Sequence, residues 1–345
     1  MKLGIIGLPR SGKTTVFNAL TRREGESAPP GGQVVPVLGV VPLPDPRVDH
    51  LSALYKPKKT IHAQVTYLDL QGMPGAAESR AEYMQTLLTH MRAMDAVLLV
   101  VRNFEEPSLG PPDPARDFRE LEDEFVLADL VTVEKRLERI AADLKKKGGT
   151  GGVERELLEE AQRLLTEGHP LRTRPEIALA PELRGFTFLS GKPLLVVSNN
   201  AEGDEAPPPI PHSPLLVVRG KLEMELAQLP PEEAEGFMRD FGIAESALAR
   251  VIRESFSLLR LATFLTVGED EVRAWTIPEG CPAVEAAGVV HSDIKRGFIR
   301  AEVISYEDFR RAGDMAAAKK LGLVRLEGKT YPMKDGDIVN FRFSV

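Results

Sequence analysis

Cysteine is almost missing from this chain of 345 residues, in which Cys281 is the only one. An intrachain disulfide and a cysteine-rich zinc site are therefore excluded, and this usage fits a reducing compartment. Long apolar runs are missing as well, because the longest, Ala96 to Val101, is far shorter than the roughly 18 residues of a membrane span. The N-terminus shows no signal-peptide pattern. We therefore expect a soluble, cytoplasmic protein that has no membrane partner.

The chain also lacks an excess of basic residues, since its formal net charge is -7 and its isoelectric point is about 5.6. This balance argues against a general nucleic-acid coat protein, and we expect no sequence-specific DNA binding. Small lysine clusters at 56–59 and 145–147 could contact RNA phosphates locally. Solvated lysines at loop and helix ends are the commoner explanation of such clusters.

The clearest motif is GLPRSGKT at residues 7–14, which matches the phosphate-binding loop pattern G-x-x-x-x-G-K-[ST] at every fixed position. An apolar strand pattern precedes the motif at 2–6, and a helix pattern follows it at 15–20. Gly7 and Gly12 leave room for phosphate oxygens, because a Cβ at either position would block their approach. The motif predicts nucleotide contacts from Gly7, Pro9, Arg10, Ser11, Gly12, Lys13, Thr14 and Thr15.

Lys13 and Thr14 are the predicted catalytic residues of this loop. Lys13 supplies a full positive charge to the outer phosphates, beside the backbone N–H groups and the positive end of the following helix. The hydroxyl of Thr14 is expected to bind a Mg²⁺ ion that bridges two phosphates. A chance match in a turn is the alternative, and the flanking strand and helix patterns argue against it.

A second motif, D-x-x-G at Asp69 to Gly72, follows a strand pattern at 63–68. Asp69 is predicted to hold Mg²⁺ through a water molecule, and the backbone N–H of Gly72 is predicted to sense the γ-phosphate. An aspartate that caps the next turn is the common alternative for an isolated match. The order of the two motifs favours a nucleotide switch.

Two further regions have distinct patterns. Apolar residues spaced alternately four and three apart within 117–147 predict a coiled-coil helix, which a glycine-rich link at 148–152 joins to a second helix as an antiparallel hairpin. From residue 258 onward, short strands and turns predict a small α+β domain without a visible catalytic constellation. The neighbouring pair His291 and Asp293 is interpreted as structural, because no partner nucleophile is in view.

These features together resemble the YchF/Obg-like ATPase family, and the resemblance covers nearly the whole chain. It rests on the segments 7–15, 39–47, 69–72, 127–130, 272–276, 297–304 and 335–338. The resemblance implies an α/β fold with three parts: a P-loop nucleotide-binding domain at 1–112 and 186–257, a helical-hairpin (coiled-coil) insert at 113–185, and a C-terminal β-grasp (TGS-like, α+β) domain at 258–345. It also implies ATP turnover with Mg²⁺ and association with ribosomes.

The choice of base is predicted from Asn199, Asn200 and Glu202, which follow a buried strand pattern at the end where α/β sheets bind ligands. GTPases of this class usually carry N-K-x-D, whose aspartate accepts two hydrogen bonds from guanine. Here Glu202 is longer than aspartate, and Asn200 replaces the lysine that would cover the base. The family likewise carries N-x-x-E and prefers ATP, so we predict ATP binding over GTP binding.

The sequence departs from the family pattern in both switches and in the phosphate-binding loop. Gln33 aligns with a threonine that binds magnesium in the family, and an amide is a poorer ligand in an octahedral site. The glycine-rich second switch is replaced by 73–80, with Met73 where Ras-like GTPases orient water with glutamine. Arg10 replaces an asparagine. We hypothesise that its guanidinium reaches phosphate, with a solvent-directed side chain as the alternative.

Three functions remain open at this point. A slow P-loop ATPase would use Lys13, Thr14 and bound Mg²⁺ to stabilise the transferred phosphoryl group. A hydrolysis-deficient module would change its partner affinity with nucleotide occupancy alone, which Gln33 and the altered second switch favour. A GTP-binding GTPase is the third possibility, and it depends on how Glu202 contacts the base.

Overall fold

The computed structural model of this protein describes residues 1–23, 35–71, 80–147, 152–212, 214–241 and 243–344. The chain folds as two compact units. The first unit consists of Met1–Val41 and Thr66–Ser255, and the second unit consists of Pro42–Val65 and Phe256–Val345. A short segment near the N-terminus therefore belongs with the C-terminal part of the chain.

The strands that the hydrophobic patterns predict form at nearly the expected positions, and further helices lie between them. The strands are β1 (Lys2–Ile6), β2 (Val35–Pro42), β3 (Lys59–Ile61), β4 (Gln64–Gln71), β5 (Ala96–Asn103), β6 (Leu194–Asn200), β7 (Leu215–Val218), β8 (Leu261–Val267), β9 (Glu271–Pro278), β10 (Phe298–Ser305), β11 (Arg325–Glu327) and β12 (Asp337–Phe343). The α-helices are α1 (Lys13–Thr21), α2 (Pro46–Tyr55), α3 (Arg80–Arg92), α4 (Pro114–Lys147), α5 (Gly152–Thr166), α6 (Pro175–Ala178), α7 (Gly220–Gln228), α8 (Pro231–Asp240), α9 (Ala247–Leu258), α10 (Ala283–Val290), α11 (Ser292–Arg296), α12 (Tyr306–Ala312) and α13 (Met315–Lys320). Short 3-10 helices span Leu171–Thr173 and Pro181–Phe186.

The centre of the first unit is a sheet with the strand order β2-β4-β1-β5-β6-β7. β1 pairs in parallel with β4 and β5, and β6 pairs in parallel with β5 and β7. The apolar runs of β1, β5 and β6 are buried, as expected for strands that are covered on both faces. Because parallel strands end at the same edge, the segments that follow β1, β4, β5 and β6 converge there.

The predicted helical hairpin is formed by α4 and α5. Val126, Val133 and Ile140 of α4 are buried in one cluster with residues of α5, among them Leu158 and Ala161. An ion pair between Arg136 Nε and Glu154 Oε1, 2.8 Å apart, also joins the two helices. The alternating four-and-three spacing of apolar residues in α4 therefore corresponds to a real helix–helix seam.

A buried carboxylate fixes α4 to the segment that leads into β6. Asp129 is fully buried, and its side chain accepts hydrogen bonds from the backbone N–H groups of Leu189 (3.0 Å) and Ser190 (2.7 Å). The Ser190 hydroxyl donates a further hydrogen bond at 2.8 Å. Burial raises the pKa of Asp129, and these hydrogen bonds oppose the shift. The helical insert is thereby held against the sheet domain of the first unit.

The second unit contains a mixed sheet with the order β11-β10-β12-β8-β9-β3. β8 and β9 form an antiparallel hairpin, and β12 pairs antiparallel with β10 and in parallel with β8. Its core contains Phe264, Ala286, Phe298 and Phe341. The C-terminal region is thus a β-rich α+β domain, and the predicted fold class, a P-loop α/β domain with a helical insert and this terminal domain, is confirmed.

Residues 42–65 lie in the second unit, whereas the predicted P-loop domain at 1–112 included them. β3 pairs in parallel with β9, and Arg47 Nη1 donates a hydrogen bond to Asp335 Oδ2 at 2.6 Å. Arg47 Nη2 also donates to the hydroxyl of Thr263, which lies 216 positions along the chain, at 2.9 Å. Local sequence patterns do not reveal partners this distant. The other predicted domain boundaries stay predictions.

Several helices were not predicted from the sequence. α8 begins with Pro231, directly after Pro230. A pair of prolines indicates a turn in the sequence, but proline is favourable at the first helical position, where its missing N–H has no partner to lose. α10 contains Gly288 and three valines, which are weak helix formers. Within the described ranges, no helix is both long enough and apolar enough to cross a membrane.

Candidate nucleotide-binding site

The segment between β1 and α1 forms the bend that the glycines of the motif predict. The backbone N–H of Ser11 donates to the carbonyl of Leu8 at 3.1 Å, so the chain turns at Pro9 and Arg10. A Cβ at Gly7 would lie 2.4 Å from the Ser11 hydroxyl oxygen and 2.6 Å from the carbonyl oxygen of Val100. Only glycine fits at this position without moving the backbone of the neighbouring strand.

Gly12 is constrained by its conformation as well as by its surroundings. Its φ angle is 84°, in the left-handed region that favours glycine, and it lies directly before the first residue of α1. A Cβ at Gly12 would lie 2.1 Å from the side-chain nitrogen of Asn199. The second fixed glycine of the motif therefore allows the loop to approach the end of β6.

Lys13 and Thr14, the last two residues of the motif, lie close to Asp69 of β4. The Thr14 hydroxyl donates a hydrogen bond to Asp69 Oδ2 at 3.0 Å, and Asp69 is fully buried in β4. Burial lowers the pKa of the Lys13 amine, and the negative charge of Asp69 opposes that shift. Hydroxyl and carboxylate oxygens are ligands that Mg²⁺ prefers, so the donor pair Thr14 and Asp69 fits the predicted metal position.

Asn199 joins the phosphate-binding loop to the start of α7. Its side-chain nitrogen donates to the carbonyl oxygen of Ser11 at 3.1 Å, and its side-chain oxygen accepts from the backbone N–H of Gly220 at 2.9 Å. The sequence predicts that Asn199 lies near the base, and in the structure it directly contacts the phosphate-binding motif at Ser11. Its contact with nucleotide stays a prediction.

Asn200 shapes the turn that follows β6. Its side-chain oxygen accepts from the Ser198 hydroxyl at 2.6 Å, and its nitrogen donates to the carbonyl oxygens of Asp204 (3.2 Å) and Ala206 (2.9 Å). Asn200 is buried, so these contacts hold the segment 201–206 in place. Its predicted contact with the base is not tested by this arrangement.

A cavity of about 280 Å³ opens beside the phosphate-binding loop and is the candidate base pocket. Glu202 lies at this pocket with 61% of its side chain exposed, and its carboxylate forms an ion pair with Lys221 Nζ at 3.0 Å. The pocket is lined by Gly12, Thr15, Phe104, Asn199, Asn200, Ala201, Glu202, Arg219 and Lys221. The predicted candidates Gly12, Thr15, Asn199, Asn200 and Glu202 are therefore brought together.

Phe104, Arg219 and Lys221 were missed by sequence reasoning. Phe104 directly follows β5, and Asn200 ends the neighbouring strand β6. Its position after a central parallel strand was the available signal, because ligands bind at that edge of α/β sheets. Arg219 and Lys221 stand at the start of α7, a helix that was not predicted.

Arg10 contacts the segment that follows β5. Its φ angle is 63°, and its guanidinium donates to the Ser108 hydroxyl and lies 3.7 Å from the Glu106 carboxylate. Ser108 in turn donates to Glu106 at 2.9 Å. With 48% of its side chain exposed, Arg10 is neither buried nor fully directed to solvent. The hypothesis that Arg10 reaches phosphate stays a prediction.

Gly72, Gln33 and Met73 lie outside the residues that the structure describes. The expectations for these positions, namely the γ-phosphate contact of Gly72, the weak metal ligand at Gln33 and the apolar residue at Met73, stay predictions.

Comparison with known proteins places this arrangement in a family. A profile described as a 50S ribosome-binding GTPase matches residues 2–136, and a profile for the C-terminal domain of YchF-type GTPases, described as a protein of unknown function, matches residues 261–344. The chain is 39% identical to the ribosome-binding ATPase YchF of Bacillus subtilis (strain 168) in an alignment of 364 positions that covers 99% of each protein. It is also 39% identical to the protein of the same name from Escherichia coli O157:H7, over 100% of this chain and 99% of the relative.

A solved structure agrees with these matches. The Schizosaccharomyces pombe YchF GTPase superimposes with a TM-score of 0.83 and 28% sequence identity, over 99% of this chain and 97% of that protein. The resemblance drawn from the motifs is therefore confirmed over the full length, and the chain belongs to the YchF family of P-loop nucleotide-binding proteins.

Proposed function

We propose that this chain binds ATP with Mg²⁺, hydrolyses it slowly and acts as a ribosome-associated nucleotide switch. The observation that carries the proposal is the contact between Thr14 and Asp69 beside the half-buried Lys13, because these are the groups that bind a nucleoside triphosphate and its metal. The relatives named ribosome-binding ATPases support the assignment of ATP and of the ribosome. The proposal includes a cytoplasmic location, which the ribosome-binding names of these relatives support.

In this proposal the phosphates lie against residues 7–15. The first turn of α1 starts at Lys13, so its free backbone N–H groups and its positive end face the anion, and the Lys13 amine adds a full charge. Thr14 and Asp69 would hold Mg²⁺. When bound, this ion would neutralise the negative charge that develops on the phosphate oxygens. The Gly72 backbone N–H is assigned the role of sensing the γ-phosphate, as its motif predicts.

The preference for adenine rests on the ion pair between Glu202 and Lys221. A carboxylate that reads guanine must accept hydrogen bonds from two N–H donors on one edge of that base. The Lys221 amine, 3.0 Å away, already occupies one oxygen of the Glu202 carboxylate. Adenine presents a single exocyclic amine and a ring acceptor on its corresponding edge, so it makes a smaller demand on this carboxylate.

Phosphate release from ATP, with and without purified ribosomes, tests the proposal. We expect slow release by the free protein, faster release with ribosomes, and no release above background by the Lys13→Ala variant in either condition. If the wild-type protein binds ATP but releases no more phosphate than Lys13→Ala with ribosomes present, the hydrolysis part of the proposal is wrong, and the chain acts as a nucleotide-dependent binding module. If ribosomes neither bind the ATP-loaded protein nor stimulate release, the ribosome part is wrong.

A further inference from the structure

Arg102, the penultimate residue of β5, is buried although it carries a permanent charge. Only 7% of the residue is exposed, and its guanidinium is surrounded by backbone carbonyls of the segment that follows it. Nη1 donates to the carbonyl oxygens of Phe104 at 2.9 Å and Gly110 at 3.1 Å, and Nη2 donates to that of Pro111 at 3.2 Å. One side chain therefore closes the whole loop 104–111, which we name the strap.

The strap contacts two parts of the candidate nucleotide site. At its start, the Phe104 side chain lines the base pocket. In its middle, Glu106 and Ser108 hold the guanidinium of Arg10, which belongs to the phosphate-binding loop. The strap also closes on itself, because the Leu109 N–H donates to the Glu106 carbonyl at 2.9 Å.

We propose that Arg102 is a positioning residue for nucleotide binding, which acts on the base through Phe104. This inference rests on the proposed function of the site. Arg102 does not line the base pocket, but it sets the path of the strap, and the strap sets the position of the Phe104 ring. A guanidinium has five N–H donors in a rigid plane, so it can satisfy three carbonyls at once. A lysine amine carries its donors on a single atom, which cannot lie at the positions of Nη1 and Nη2 together, so it cannot reproduce all three hydrogen bonds.

A double-mutant cycle between Arg102 and Phe104 tests the proposal. Calorimetric titration would give the ATP affinity of the wild type, Arg102→Lys, Phe104→Ala and the double variant. Inorganic tripolyphosphate serves as a probe that has phosphates and no base. We expect Arg102→Lys to weaken ATP binding about tenfold, the change typical of losing one hydrogen bond made by a charged group, and to change tripolyphosphate binding much less. In the Phe104→Ala background the same substitution should have little further effect on ATP binding.

A matched control and a second variant guard against a general loss of folding. Arg139→Lys makes the same chemical change at an exposed position of α4 and should leave ATP affinity unchanged. Gly110→Val keeps Arg102 but strains the backbone of the strap, because Gly110 has a φ angle of 72°, which a valine rarely adopts. The substitution causes no steric clash, since a Cβ at this position would meet no atom within 4 Å. This variant should also weaken ATP binding more than tripolyphosphate binding, and it replaces Arg102→Lys if that variant does not fold.

The outcomes separate this inference from the proposed function. If the wild-type protein binds no ATP, the proposed function itself fails. If the wild type binds ATP and Arg102→Lys binds it equally well, the positioning role is wrong. If Arg102→Lys weakens ATP and tripolyphosphate equally, and does so in the Phe104→Ala background as well, Arg102 serves only general stability and the inference is overturned.

Discussion

The side-chain nitrogen of Asn199 donates a hydrogen bond to the backbone carbonyl of Ser11 at 3.1 Å, and this contact joins the end of β6 to the phosphate-binding loop. The opposite end of the same amide accepts from Gly220 at the start of α7. One residue therefore connects the phosphate-binding motif with the start of α7, which lines the candidate base pocket. Its amide has both a donor and an acceptor engaged, which a carboxylate of the same shape could not reproduce.

Replacing Asn199 by aspartate should weaken nucleotide binding. The aspartate keeps the oxygen that accepts from Gly220, but it replaces the donor to Ser11 with a second oxygen. Its negative charge is then repelled by the Ser11 carbonyl oxygen. We expect ATP and ADP affinities to fall by about tenfold, the usual effect of losing one buried hydrogen bond next to a binding site. Calorimetric titration of both nucleotides measures this. Unchanged affinity for both would mean that the Ser11 contact does not hold the loop.

Thr14 variants should separate the metal from the phosphates. Thr14→Ala removes the hydroxyl that contacts Asp69, and it should raise the Mg²⁺ concentration for half-maximal ATP hydrolysis by at least about tenfold, since even outer ligands of metal sites commonly contribute that much. Thr14→Ser retains the hydroxyl and is the matched control. A Mg²⁺ titration that gives the same midpoint for all three proteins contradicts the assignment of Thr14 as a metal ligand.

Removing the partner of Glu202 should shift base selectivity toward guanine. In Lys221→Ala the carboxylate loses its ion pair and becomes free to accept from guanine N–H groups. We expect the ratio of GTP affinity to ATP affinity to rise about two- to fivefold, a small change because the pair is exposed to solvent. Lys221→Arg retains the charge and should keep the wild-type ratio. Competition binding with a fluorescent nucleotide gives this ratio, and a constant value in Lys221→Ala would show that Glu202 does not read the base.

The second unit should lose stability at acidic pH through Asp335. Burial alone would raise the pKa of this carboxyl, but hydrogen bonds from Arg47 and Thr263 outweigh that effect and hold the pKa below its ordinary value. The resulting stabilisation is fully present above the unfolded aspartate pKa of about 3.9 and disappears as the pH falls through the folded value. Because the side chain is 54% exposed and solvent screens the pair, we expect only about 0.5 kcal/mol.

Chemical denaturation followed by the fluorescence of Trp275 measures this stabilisation by ionised Asp335. Trp275 is the single tryptophan of the chain and lies in β9 of the second unit, so its signal reports on that unit. The free energy of unfolding of the wild type should fall more steeply below pH 4 than that of Asp335→Asn, which cannot titrate there. Parallel pH profiles for the two proteins would exclude a stabilising charge on Asp335.

Much of the first unit followed from the sequence because its signals are local. The motif at 7–14 and the apolar runs of β1, β5 and β6 specify strand, loop and helix without reference to distant residues. The seam of α4 is equally local, because a repeat of four and three positions defines one face of a helix. The convergence of Asp69 and Asn199 on the loop followed from the rule that parallel strands end at one edge.

What the sequence did not reveal depends on long-range pairing. Residues 42–65 join the second unit through Arg47 and β3, whose partners lie near the C-terminus. The roles proposed for Asn199 and Arg102 depend on the backbone carbonyls that their side chains contact, and the sequence does not show which carbonyl a side chain will contact. Phe104 is an apolar residue that no motif marks in the sequence, and the fold brings it to the pocket that Gly12 also lines.

The most direct test of the central proposal is a calorimetric titration of the purified protein with ATP and with GTP in the presence of Mg²⁺, with Lys13→Ala as the control. We predict saturable ATP binding, weaker GTP binding, and loss of both in Lys13→Ala, because the Lys13 amine supplies the charge that faces the outer phosphates. Tighter binding of GTP than of ATP, or ATP binding that survives in Lys13→Ala, would contradict the assignment of this site as an adenine-nucleotide site built on residues 7–15.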